Sequence, residues 1–121
     1  VIVFEYSPDV YYVKRVIGVP GQTVSYHQDQ LYIDGEPIEE PYLDEGKLLV
    51  SYSGEFTWDF TLQEICQFDP CDVIPEGYYL VLGDNRPHSK DSRHIGLISE
   101  DQILGKATWI QWPLSSFGRI E

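Results

Sequence analysis

Apolar residues along this chain fall into short runs separated by turn chemistry, and helical spacing is scarce. Val1–Tyr6 alternates weakly until Ser7-Pro8-Asp9 interrupts it, and Val10–Val19 is a long β-branched and aromatic run stopped by Pro20-Gly21. Thr23–His27 and Leu31–Ile33 read as a hairpin around Gln28-Asp29-Gln30. Asp34-Gly35 then predicts a tight turn before Glu36–Ile38. From Glu39 to about Pro75 the pattern loosens. Leu48–Tyr52 and Phe56–Leu62 read as strands, and Thr61–Cys66 reads alternatively as a short helix, with Thr61 and Glu64 at capping-box spacing. Regularity returns with the strand Gly77–Gly83, a polar loop to Arg93, and the apolar runs Ile95–Ile98 and Ile103–Trp112. The whole predicts an all-β domain of antiparallel sheets, packed or folded as a partly open barrel, with residues 44–75 as an inserted region.

Composition supports one domain of that class. The 121 residues suffice for a single core, and aromatics reach 14%, with nine Tyr and three Trp. A net charge of −12, from 20 acids against 8 bases, repels phosphate backbones and argues against nucleic acid as a partner. No stretch approaches the ~20 apolar residues of a membrane span, and the chain opens directly on a strand, so any anchor is expected upstream of Val1. Cys66 and Cys71 have four residues between them. His27, His88 and His94 show no ligand spacing with them, so no metal or cofactor is expected. A local disulfide and two free thiols both fit this spacing.

Two segments carry candidate chemistry. Lys14 shares a strand face with Tyr12 and Val16, surroundings that disfavour an ammonium and lower its pKa. A free lysine, with a pKa of about 10.4, is almost entirely charged at neutral pH. Depressing that value by about two to three units costs roughly 3–4 kcal/mol and yields a usable general base. The bland alternative is an edge lysine that snorkels its head to water. The second segment, 83–93, crowds Asp84, Asn85, Arg86, Ser89, Asp91, Ser92 and Arg93 into one loop, where Asp91 and Arg93 are placed to pair across a bend. A Ser-His-Asp triad through His88 and Asp91 is disfavoured, because such residues must converge from separate places. Trp109 and Trp112 read as core or interfacial aromatics.

Taken in order, Lys14-Arg15-Val16-Ile17-Gly18-x-Pro20-Gly21 and Gly83-Asp84-Asn85-Arg86-x-x-Ser89-x-Asp91-Ser92-Arg93 resemble the bacterial type I signal peptidase (leader peptidase) family. Leu31–Gly35, Glu40-Pro41-Tyr42-Leu43, Ile103–Ala107 and Trp112-Pro113 resemble it too. The resemblance implies an all-β catalytic domain on the extracytoplasmic side of the cell membrane, anchored by an upstream transmembrane helix. It implies a Ser–Lys dyad that cuts signal peptides from secreted preproteins after small residues. By position, Lys14 is then the general base, Ser89 orients its amine, Asp91 and Arg93 hold the loop, and Tyr12 helps bury the lysine. An extracytoplasmic place would also favour a Cys66–Cys71 disulfide.

The chain departs from the family in one respect. The nucleophile's Ser-Met-x-Pro-like motif is absent, and Ser7, the only serine before Lys14, lies in a Ser-Pro-Asp turn. The nucleophile is therefore expected upstream of Val1, and these 121 residues alone are expected to be inactive. Two other readings are a non-catalytic relative that keeps the fold as a surface scaffold, and a self-cleaving SOS-type repressor, which the 83–93 loop fits poorly.

Overall fold

The computed structural model describes residues 1–8, 10–44, 47, 56–106 and 119–120. Among them the strands are β1 (Ile2–Ser7), β2 (Val10–Gly18), β3 (Val24–His27), β4 (Gln30–Ile33), β5 (Glu36–Ile38), β6 (Phe60–Thr61), β7 (Tyr78–Leu82), β8 (Ile98–Ser99), β9 (Ile103–Lys106) and β10 (Arg119–Ile120). One sheet runs β8-β7-β2-β1-β9, with β10 beside β2, and the other runs β5-β4-β3-β6. Every pairing is antiparallel except β10 with β2. Neither sheet closes on itself. The expected all-β class therefore holds, as two open sheets.

Local chemistry explains the boundaries. Asp34 (φ 53°) and Gly35 (φ 83°) both take left-handed backbone, the conformation a two-residue hairpin turn demands. The β3–β4 turn is Gln28-Asp29 alone, both at positive φ, and Gln30 already belongs to β4. Asp29 holds that turn in place by accepting from the backbone N–H groups of Phe56 (3.0 Å) and Thr57 (2.7 Å).

The stretch 56–62 is not one strand. Only Phe60–Thr61 pairs with β3, and Leu62–Ile65 is a helical turn whose Glu64 Oε1 accepts from Thr61 N at 2.9 Å. That is the capping box the spacing suggested. The run 95–98 is split likewise: Ile95 ends a helical turn (Ser92–Ile95), Gly96 reverses the chain, and Ile98 starts β8. The expected strand at 48–52 and the residues Trp109 and Trp112 lie outside the described residues.

Strand β7 is apolar on both faces because it has a core on each side. Leu80 and Leu82 join Val24, Tyr26, Leu31, Phe60, Leu62 and Ile74 in one cluster, while Val81 joins Ile2, Phe4, Tyr12 and Ile98 in the other. Within 56–75, Phe56, Phe60, Leu62, Cys71 and Ile74 are all buried. Cys66 and Cys71 form a disulfide.

Candidate active site

Strand β2 delivers Lys14 to the face shared with Tyr12, as the alternation required. The side chain is buried at 6% exposure, with Tyr12 at 2%. The Lys14 Nζ lies 5.4 Å from the Tyr12 ring centroid. Tyr12 is itself clamped, edge-on by Phe4 at 5.6 Å and stacked by Tyr6 at 5.2 Å. This amine does not snorkel to water.

The partner comes from the loop after β7. Lys14 Nζ donates to Ser89 Oγ at 3.1 Å, across 75 positions of sequence. The β2–β7 register, Arg15 opposite Leu82 and Val16 opposite Val81, carries Lys14 past the end of β7, beside Gly83. A Cβ at Gly83 would stand 1.9 Å from Ser89 Oγ and 3.3 Å from Lys14 Nζ. The hydroxyl and the amine meet in the space where a side chain is missing. Sequence reading placed Gly83 in the motif without a role; the backbone's close approach gives it one.

Asp91 holds the loop. Its carboxylate, wholly buried, accepts from Gly83 N (3.0 Å), Arg93 N (3.1 Å), Arg93 Nε (2.9 Å) and Arg93 Nη2 (2.9 Å). Desolvation pushes its pKa up, but the Arg93 hydrogen bonds and charge, with the two backbone donors, outweigh that and hold it below the usual carboxylate value. Arg93 also donates to the Arg86 carbonyl (2.9 Å), and Ser92 Oγ accepts from Val81 N (2.9 Å). Asp91 is thus engaged by Gly83 and Arg93, and His88 is exposed, which is no Ser-His-Asp arrangement.

A second buried ion pair ties the loop to the other sheet, and the sequence did not pair its members. Arg86, fully buried, donates to the Gly83 carbonyl (2.7 Å) and to Glu40 Oε2 (2.8 Å), and also bonds the Tyr26 hydroxyl. The only advance signal was an arginine inside a motif, which does not report burial. Outside this core, Arg15 grips Asp84 with two bonds of 2.9 and 2.8 Å and stacks over Tyr42 at 3.8 Å. The Asp84 bond raises the Arg15 pKa, so the guanidinium stays charged.

A buried lysine amine thus meets a serine hydroxyl on a scaffold of two open β-sheets. Comparison with known proteins shows the family to which this scaffold belongs. Residues 1–112 match the family described as signal peptidase, peptidase S26. Signal peptidase IB of Staphylococcus aureus is 49% identical over 119 residues, covering 97% of this chain, and signal peptidase I of Bacillus caldolyticus is 44% identical over the same length. A crystal structure of a signal peptidase I from Enterococcus faecalis superposes with a TM-score of 0.72 at 43% identity, covering 87% of this chain and 90% of that one. This chain belongs to the signal peptidase S26 family. It spans 61% of the S. aureus relative and 62% of the B. caldolyticus one.

Proposed function

We propose that this chain is the catalytic domain of a signal peptidase I that removes N-terminal signal peptides from preproteins by Ser–Lys chemistry. Lys14 is the general base, Ser89 and Tyr12 position it, and Asp91 with Arg93 hold the loop. The carrying observation is the 3.1 Å bond from the buried Lys14 amine to Ser89. Burial favours the neutral amine, the form able to take a hydroxyl proton. Ser89 fixes where its nitrogen points.

The nucleophile is a serine in a segment preceding Val1. Ile2 of β1 pairs with Lys14 of β2, so chain entering β1 from upstream passes beside the amine. Attack on the substrate carbonyl forms a tetrahedral oxyanion, and Lys14, having taken the serine proton, hands it to the leaving amine. The chemistry needs no metal or cofactor. Among the described residues no helix is long and apolar enough to cross a membrane. The Cys66–Cys71 disulfide supports an oxidising, extracytoplasmic location for this domain.

The test is cleavage of a preprotein by the protein carrying its native upstream segment. That protein should cut after small residues, the 121 residues alone should not, and Lys14→Arg should abolish turnover because guanidinium keeps its proton. An upstream segment without a serine, or an intact protein that cuts nothing, would favour the scaffold reading.

A further inference from the structure

An open groove of about 360 Å³ begins at Ser89 and is walled by Trp58, Pro87, His88, Lys90 and His94. That volume sits at the small end of ligand sites, roughly 300–1,000 Å³. Its chemistry is at odds with the rest of the molecule. The chain carries 20 acids against 8 lysines and arginines, yet among the described residues these walls hold one lysine, two histidines and no carboxylate.

The groove is also well built. Trp58, 42% exposed, lies over the buried Arg93 guanidinium at 4.1 Å, and the His94 ring meets it edge-on at 5.4 Å. Arg93 is in turn fixed by Asp91, so the groove's aromatic wall rests on the same ion pair that holds the dyad loop. On the other side Lys90 stands 5.0 Å from the centroid of Tyr6, which stacks on Tyr12 beneath Lys14. Asp91 is neutralised by Arg93, and the nearest acid in sequence to Trp58, Asp59, is engaged by His27 at 3.1 Å.

We propose that this groove is the subsite for the first residues after the cleaved bond and that it selects substrates whose mature chain begins with an acidic residue. The inference rests on the signal-peptidase reading above and adds a specificity to it. The groove is continuous with Ser89, one bond from the Lys14 amine, so its occupant lies within a few residues of the reacting carbonyl. A signal peptide ends in an apolar stretch and a small-residue cleavage site, so a carboxylate near that bond comes from the mature side. A largely apolar, aromatic-walled groove with Lys90 as its one permanent charge fits a short segment carrying a single carboxylate, with Trp58 against its backbone and Lys90 for its charge.

The experiment uses the intact protein and a set of preprotein-derived peptides that differ only in the first three residues after the bond, carrying Asp, Asn or Lys. The expected kcat/KM for the Asp peptides exceeds that for the Lys peptides by about fivefold, as exposed charge pairs allow. The ratio should shrink in high salt and should fall below one in a Lys90→Glu/His88→Glu variant. Equal cleavage of all three peptides, or a preference that survives Lys90→Glu/His88→Glu, would overturn the subsite while leaving the peptidase reading intact. Cleavage of none would remove both.

Discussion

Residues 83–93 and 56–75 are both irregular chain packed against sheet, and they are held by opposite means. The first is fixed by buried charge: Asp91, Arg93 and Arg86 are withdrawn from water, and each is met by several hydrogen bonds. The second is fixed by apolar anchors, a capping box and a disulfide, with Phe56, Phe60, Leu62 and Ile74 buried. Apolar packing and a covalent link hold a segment against the sheet but do not aim an individual polar atom. Directional bonds to a buried carboxylate do, and the segment they fix is the one that presents Ser89 to Lys14. The cost is fragility, since losing one partner strands the other charge in the interior.

The comparison breaks most sharply at Lys14 itself. In the intact protein Lys14→Ala should lower kcat by about 10³-fold, the scale of a lost general base, without lowering the melting temperature. Ser89→Ala should be milder, because it loosens the amine without removing it. Normal cleavage by Lys14→Ala would remove the dyad from consideration.

Asp91 tests the fragility directly. Asp91→Ala leaves Arg93 buried without its carboxylate and should destabilise the fold by about 3–5 kcal/mol, read as a lower midpoint in urea. The same group sets an acid dependence. Folding lowers the Asp91 pKa, so as pH falls the unfolded chain takes up the proton first. Its stabilisation is complete above the ordinary carboxylate value of about 3.9 and is lost as pH drops through the lower folded value. The stability gap between the natural chain and Asp91→Asn should therefore narrow in acid. A gap constant from pH 7 down to pH 2 would mean that the pair does not behave as an ion pair.

These contrasts also explain what could be read before any coordinates. Strands were legible as apolar, β-branched and aromatic runs bounded by turn residues: β1 to β5 and β7 differ from the sequence reading by a residue or so at their ends. The Asp91–Arg93 pair was legible because its members stand two residues apart. The Lys14–Ser89 contact spans 75 positions, and only the family resemblance pointed to it. The Arg86–Glu40 pair joins the segments that follow β7 and β5, 46 positions apart, and no local pattern encodes so distant a contact. Around Phe60, a strand two residues long runs straight into a helical turn, which leaves neither period long enough to be seen. Gly83 acts through an absent atom, so its meaning emerged only once Ser89 stood next to it.

Gly83 therefore gives a sharper probe than any charged residue, because it moves Ser89 away from Lys14 without unpairing an ion. A methyl group there would overlap Ser89 Oγ, so Gly83→Ala must push the hydroxyl away from Lys14. A displacement of that size should lower kcat by about 10²-fold with little change in KM. Gly83→Ala combined with Ser89→Gly removes both atoms that the methyl group would overlap, Ser89 Oγ and Ser89 Cβ. If the clash is the cause, the double variant should be no slower than Ser89→Gly alone. A double variant slower by the full product of both effects would show that Gly83 acts by another route.

The smallest effect is expected on the other side of the comparison. The Cys66–Cys71 bridge closes a loop of only a few residues, so it removes little freedom from the unfolded chain, about 2 kcal/mol. A Cys66→Ser/Cys71→Ser variant should unfold at slightly lower urea and yet keep the kcat of the intact protein, because Ser89 and Lys14 are held by Asp91, Arg93 and Arg86. Its m-value should shift as well, since an uncrosslinked chain exposes more surface on unfolding. Reduction of the natural protein should reproduce the variant. If breaking the bridge lowered kcat as much as Gly83→Ala does, the two segments would be mechanically coupled. The link would then run through Gln67, whose side chain bonds Leu97 N (2.8 Å) and the Leu97 carbonyl (3.0 Å) just beyond the dyad loop. Gln67→Ala would then have to reproduce the loss with the disulfide intact.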